Sequence, residues 1–327
     1  MGPVRRTRLL ATLGPATETL AAIRELVVAG ADTFRLNMSH ASHEWARMVS
    51  GHVREAANDA PRGRTVGLLF DLQGPSIRTG TLPEPFSLKE GDEFEFRCRD
   101  SEPRLPLSTT VNYSGMIEDV SEGDSLLVDN GSMIMRVKAI CEDRITCTVR
   151  TDGPLGSRRH INLPGVRLNL PALTEKDRAD IKVATECDAD FIAGSFVRDG
   201  EHVRELRAEI EQSGGHAQII SKLEDQEAIK HLDDIVQASD LVMVARGDLG
   251  IEVHIEELPI IQRRIVKRCH ELGRRVIVDT QLLESMIENP TPTRAEVTDC
   301  ANAVYEEADA LMAVSYTHLT LPTNREV

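Results

Sequence analysis

Four short stretches place charged or polar groups at the end of an apolar run, the combination that anion and metal chemistry requires. In Ile219-Ile220-Ser221-Lys222-Leu223-Glu224-Asp225 an ammonium and a carboxylate alternate where the apolar residues stop. Thr33 to Ser39, read as an extended chain, sets Phe34, Leu36 and Met38 on one face and Arg35, Asn37 and Ser39 on the other. The run TVGLLFDL ends with Asp71 near its exit, and Arg246-Gly247-Asp248-Leu249-Gly250 follows another apolar run directly. In that last motif two close glycines permit tight backbone geometry, and free N–H groups at a helix start can receive a carboxylate or phosphate. Taken singly, each stretch is equally a solvated strand end or an ordinary turn. Taken together, Glu224 and Asp248 would give one divalent ion two hard oxygen ligands and leave room for substrate oxygens and water, the habit of Mg²⁺ rather than of caged Ca²⁺. Lys222 and Arg35 would add positive charge at the same place, an arrangement suited to a phosphoryl group in transfer.

Residues so far apart in the chain need a fold that gathers strand ends. Strand-like runs recur at RTRLLATL, TFRLNMS, TVGLLFDL, ADFIAGSF, QIISKLE, DLVMVAR, RVIVDT and DALMAV, and helical stretches such as ETLAAIRELVVAG and ELPIIQRRIVKRCHELG lie between most of them. Alternation of this kind predicts parallel β/α units. From about Gly80 to Leu163 the rhythm breaks into turn signals and β-formers, LKEGDEF, VSEGDSLLVDNGSM and CEDRITCTVRTDGPLG, which reads as a small all-β domain inserted after the third strand. The expected fold is therefore an α/β (β/α)₈ TIM barrel, incomplete at its C-terminal end, carrying an inserted β lid. Its parts are 1–79 and 164–314 for the barrel, 80–163 for the lid and 315–327 for an atypical tail. A doubly wound sheet is the alternative, although no G-x-G-x-x-G follows the first strand. In a barrel the active site collects at the C-terminal strand ends, which is where these polar groups fall.

The 327 residues carry a net charge of −15, with 38 Lys and Arg against 53 Asp and Glu, so no basic surface for nucleic acid is expected. Any anionic ligand must meet a local basic site. The six cysteines are scattered without a C-x-x-C pair, which points to reduced thiols in a cytoplasmic protein. The N-terminus has no long apolar core of a signal peptide, and no apolar run of about 18 residues is present to span a bilayer; no membrane partner is expected.

In order along the chain, ATLGPATET, FRLNMSHASHE, FDLQGPSIRTG, INLPGVRLNLPALTEKD, IISKLED, MVARGDLGIEV and DTQLLESMIENPTPTRAEVTDCANAV each match a segment of one family. The chain resembles pyruvate kinase over nearly all its length. The resemblance implies a barrel with a β-domain that closes over the site, and transfer of phosphate from phosphoenolpyruvate to ADP. It implies that Arg35 binds substrate, that Lys222 is the catalytic lysine, and that Glu224 and Asp248 hold Mg²⁺ or Mn²⁺. Gly247 would contact substrate through its backbone, and Thr280 would lie beside the enolate carbon and order a proton relay, since an unassisted hydroxyl is no base near neutrality. Asn37, Ser39, Asp71 and the carbonyl of Leu72 match the monovalent-cation site, and Asn37, His40, Arg78 and Arg159 match nucleotide contacts. A homo-tetramer is implied for the full-length form. A metal-dependent barrel lyase making pyruvate enolate, or an inactive fragment, are the alternative readings; the former would not need the lid.

Three departures qualify the resemblance. Where K⁺-activated members carry Glu after the third strand and K⁺-independent ones carry Lys, this chain has Ser76, which predicts weak or partial K⁺ activation. His160 stands at a hinge position commonly small, and is expected to face solvent. After the eighth strand the family continues with a final helix and a C-terminal domain, whereas Ser315 to Val327 resembles translated adapter sequence. Strands left without cover would expose apolar surface at about 25 cal/mol per Å², so poor stability is expected.

Overall fold

Eight parallel strands, Arg8–Thr12, Thr33–Asn37, Gly67–Asp71, Phe191–Gly194, Gln218–Leu223, Leu241–Ala245, Arg275–Asp279 and Ala310–Met312, close into a ring in sequence order. The computed structural model describes residues 5–60 and 64–313; Val314 and the segment 315–327 lie outside the described residues. Closure comes from the eighth strand pairing with the first, Arg8 opposite Ala310 and Leu10 opposite Met312. An open doubly wound sheet is thereby excluded, and each strand-like run of the sequence contains one barrel strand.

The strands are apolar on both faces because each face meets a different layer. Leu10, Leu69, Ala193, Ile220, Met243, Ile277, Ala310 and Met312 pack together inside the ring. Phe34, Leu36, Leu68, Phe70, Ile219, Val242, Val244, Val276 and Val278 belong to the larger core that also takes in the helices. The inward set matters for function, since two residues further along a strand the same face reaches the mouth: Leu69 leads to Asp71, Ala193 to Ser195, Ile220 to Lys222 and Ile277 to Asp279.

Several outer helices start at side-chain caps that their sequences supply. Thr174 accepts from the backbone of Asp177 while the Asp177 carboxylate returns the bond, and Thr293 and Glu296 form a second such box. Thr19 and Ser42 cap Leu20–Ala29 and His43–Ala56, and Gly30, at φ 117°, ends the first of these in a left-handed turn.

Between the third and fourth barrel strands the chain builds a six-stranded sheet. Its spatial order is Ile161–Asn162, Ser125–Val128, Met133–Ile140, Arg144–Val149, Glu93–Arg97 and Ser108–Thr110, antiparallel except for the last pair. The sheet has its own apolar cluster, including Phe94, Phe96, Met135, Val137, Ile145 and Cys147, with the Phe94 and Phe96 rings 4.9 Å apart. We propose the division into lid and barrel at 79/80 and 163/164 on the ground of this separate cluster, which also takes in Ile77 just before the first boundary and Val166, Leu168 and Leu170 after the second.

Candidate active site

A cavity of about 510 Å³ opens between the barrel mouth and the lid. Its lining includes Arg35, Asn37, Ser39, His40, Asp71, Leu72, Ser76, Arg78, Arg159, Lys222, Glu224 and Asp248, so most of the residues singled out in the sequence meet there. Gly247 and Thr280 are not in that lining. They lie against each other instead: a side chain added at Gly247 would come within 3.0 Å of Thr280 Cγ2.

At the centre is a buried chain of charge. The Lys222 ammonium donates to Glu224 Oε1 at 2.8 Å and to Ser195 Oγ at 2.9 Å, and stands 3.4 Å from Asp71 Oδ1. Ser195 in turn donates to the Leu72 carbonyl at 2.8 Å. Arg35 grips the other Asp71 oxygen, with both Nε and Nη2 at 2.6 Å, and its Nη1 donates to Thr12 Oγ1 at 3.1 Å. Lys222 lies in the strand Gln218–Leu223 and Glu224 one residue past its end, and the shared direction of residues two apart is what brings their charges together.

Burial works against the Lys222 charge, but Asp71 first and Glu224 second more than offset it and hold the ammonium above its usual range. Burial likewise opposes the Asp71 charge, and Lys222 and Arg35 together keep that carboxyl low. Glu224 and Asp248 differ. Burial drives both upward; Lys222 draws each down, but not enough, and Asp248 pushes on Glu224 while Asp279 pushes on Asp248. Asp279, buried beside them, is pushed up by the same desolvation. Such a mouth has anionic groups short of positive charge, and a divalent ion meeting Glu224 and Asp248 would supply it. Among the described residues no three His, Cys, Asp or Glu side chains gather as a closed metal cage.

The local backbone explains how these groups are held. The N–H of Phe196, at φ 54°, donates to Glu224 Oε2 at 2.6 Å. Gly74, at φ 69°, passes so close to Ser195 that a Cβ would lie 2.8 Å from the serine Cβ, so only glycine fits. The RGDLGIE segment forms a short helix, Arg246–Glu252, not a turn, and it carries Asp248 in its first turn. Thr280 sits at φ 74°, a costly conformation for a β-branched residue. It is held there by its carbonyl accepting from Arg246 Nη2 at 2.6 Å and its N–H donating to Asp279 Oδ1 at 2.5 Å.

His160 corrects an expectation. Its side chain is only 12% exposed, its ring tilted against that of Phe196 with centroids 5.7 Å apart and its Nδ1 3.7 Å from Asp248 Oδ1. Burial, then Arg78, holds its pKa at about 4, so the imidazole is neutral at physiological pH. The hinge docks onto the barrel, which is why a residue expected in solvent is covered.

Sequence reading passed over Ser195, Phe196, Asp279 and Trp45. Parity would have found Ser195 and Asp279, each two residues beyond an inward apolar side chain. No local signal marks Phe196, whose role depends on a left-handed backbone. Trp45 lines an adjoining hollow of about 420 Å³ with Leu13, Pro15, Glu18, Asn37 and His40.

A closed parallel barrel whose polar residues converge at the C-terminal strand ends is the architecture of a (β/α)₈ enzyme. The family model described as pyruvate kinase, barrel domain, matches residues 4–319, and the chain belongs to the pyruvate kinase family. It is 44% identical over 308 residues to plastidial pyruvate kinase 2 of Arabidopsis thaliana, covering 94% of this chain and 53% of that one. Against pyruvate kinase of Geobacillus stearothermophilus the identity is 42% over 312 residues, with coverages of 94% and 53%. Against that of Clostridium perfringens it is 39% over 314 residues, with 94% and 65%. The chain spans about half the length of the curated relatives it matches first. Among the described residues no helix is long and apolar enough to cross a membrane.

Proposed function

We propose that this chain is the catalytic part of a pyruvate kinase, moving the phosphoryl group of phosphoenolpyruvate to ADP and yielding pyruvate and ATP. The observation that carries the reading is Lys222, a buried, protonated ammonium between Asp71 and Glu224 at the mouth of the barrel. The P–O bond to the enol oxygen breaks and a bond to a terminal phosphate oxygen of ADP forms, leaving an enolate that gains a proton on carbon. Lys222 holds its charge where the phosphoryl oxygens and the enolate oxygen need it. Arg35, fixed by Asp71 and Thr12, steadies the incoming phosphate. Thr280 orders the proton relay from its position beside Gly247. Held by Glu224 and Asp248, Mg²⁺ or Mn²⁺ would neutralise charge on the phosphoryl oxygens. Pyruvate formation from phosphoenolpyruvate, dependent on ADP and a divalent ion, is the test.

ADP phosphates are assigned to Asn37, His40, Arg78 and Arg159, and the base to the adjoining hollow at Trp45. Trp45 is the chain's one tryptophan. ADP should therefore change its emission saturably, whereas inorganic phosphate should not; unchanged emission at ADP concentrations that saturate turnover would remove the base from this hollow.

A monovalent cation is assigned to Asn37, Ser39, Asp71 and the Leu72 carbonyl. Ser76, 9% exposed and accepting from Arg78 Nε at 3.3 Å, offers neither the carboxylate nor the ammonium of the two family types. Partial K⁺ activation is expected, and equal rates in K⁺ and in tetramethylammonium would rule it out.

A cytoplasmic site of action is supported by six free cysteines, two of them deep in the lid core. A homo-tetrameric whole protein is supported by exposed Ile260 on helix Leu258–Glu271 and exposed Val297 and Tyr305 on helix Arg294–Tyr305.

A further inference from the structure

The lid and the barrel meet through a pair of matched side-chain contacts. In the extended run leaving the lid, Ile161 and Leu163 turn into the lid core. The two-residue period then sends His160 and Asn162 the opposite way. They meet helix Arg246–Glu252, on which Asp248 and Glu252 are four residues apart and share a face. His160 Nδ1 approaches Asp248 Oδ1 at 3.7 Å, and Asn162 Nδ2 donates to Glu252 Oε1 at 3.1 Å. A strand period and a helix period thus coincide over two rungs.

Further contacts tie down the same place. Gly131, in the lid turn before Met133, lies so near Ile251 that an added Cβ would be 3.6 Å from its Cγ2. On the barrel side, Gln226 Nε2 donates to the Glu252 carbonyl. Asn162 and Glu252 are 5% and 8% exposed, so their bond lies where water does not compete for it. Packing alone would be better served by apolar side chains, because the arrangement leaves Asn162 Oδ1 buried with no hydrogen-bond partner among the described residues.

We propose that Asn162 and Glu252 are positioning residues that fasten the lid's exit strand to the helix bearing Asp248, so that the lid's placement and the orientation of that carboxylate are set together. The inference rests on the metal role assigned to Asp248 above. Partners hydrogen-bonded to a metal ligand hold its orientation, and their loss typically weakens metal binding by about 10- to 100-fold; Asn162 and Glu252 act one step further out, through the helix, so the lower end of that range applies.

The test is the Mn²⁺ dissociation constant of the full chain, read from the free-Mn²⁺ electron paramagnetic resonance signal, with no substrate present. Asn162→Ala and Glu252→Ala are each expected to weaken binding about tenfold. The double variant should be no weaker than the worse single within about twofold, since both remove one contact. Glu252→Gln should stay near the parent protein, because its amide oxygen accepts the same Asn162 N–H. Single Ala variants within about twofold of the parent would overturn the proposal, as would a Glu252→Gln loss equal to that of Glu252→Ala, which would show charge rather than position at work. If Asn162→Ala loses its cooperative unfolding transition, His160→Ala carries the same expectation through the other rung. A parent chain that binds no Mn²⁺ overturns the metal assignment and the fastening with it, whereas parent binding with unaltered variants overturns the fastening alone.

Discussion

Lys222→Met is expected to lower kcat for pyruvate formation by at least about 10³-fold, near the upper end of what one preorganised charge donor contributes. The side chain brings one ammonium within reach of Asp71, Glu224 and Ser195 together. The same substitution leaves the buried Glu224 carboxylate without its cation, while Asp71 keeps Arg35. Breaking a buried pair from one side costs about 3 to 5 kcal/mol, so the denaturant midpoint should fall as well. Methionine keeps most of the volume, which separates loss of charge from loss of packing. Because the stability loss is also expected, kcat is to be read on the folded fraction at low denaturant. A Lys222→Met protein within tenfold of the parent kcat would remove Lys222 from the chemistry.

Glu224→Gln should act in two opposite directions. In metal-free protein it is expected to leave the melting temperature no lower than the parent's, because burial and Asp248 already push the Glu224 carboxyl upward and the amide carries no charge to desolvate. Lys222 keeps Asp71, its stronger electrostatic partner, so its charge is not stranded. With Mn²⁺ the expectation reverses. The parent should gain thermal stability by mass action while the variant, short of one hard oxygen ligand, gains little and turns over poorly. A variant that is stabilised by Mn²⁺ as much as the parent would show that Glu224 is not a ligand. Stability given up for a functional charge is a common trade at such sites.

How much of this was readable beforehand follows from how local each feature is. Strand parity is local, and it sets Arg35 apart from its apolar neighbours and puts Lys222 and Glu224 on one face, while Asp71 is marked by its place at a strand's exit. The barrel itself was legible because apolar strand runs and amphipathic helical runs alternate along most of the chain. His160 was misread because its burial depends on how the lid's exit run docks against Phe196 and Asp248, elements far away in sequence. Ser195 lay within reach of the parity rule, but a serine after Gly194 looks like any strand-ending turn. The left-handed conformations of Phe196 and Thr280 run against their residue types, so propensity argued the wrong way where a hydrogen bond to Glu224 and a grip by Arg246 decide. The hollow at Trp45 forms from a loop after the first strand and the helix after the second, and its walls have no common motif.

The central claim is that this mouth moves a phosphoryl group from an enol ester to a nucleoside diphosphate. The most direct measurement follows phosphoenolpyruvate, ADP and Mg²⁺ with the purified chain, reading ATP and inorganic phosphate by phosphorus and pyruvate by proton magnetic resonance, alongside Lys222→Met as the blank. Pyruvate and ATP appearing in equal amounts, with neither formed by the blank or when ADP is left out, is the predicted result. Pyruvate accompanied by inorganic phosphate instead of ATP, or equal turnover by the Lys222→Met protein, would contradict it.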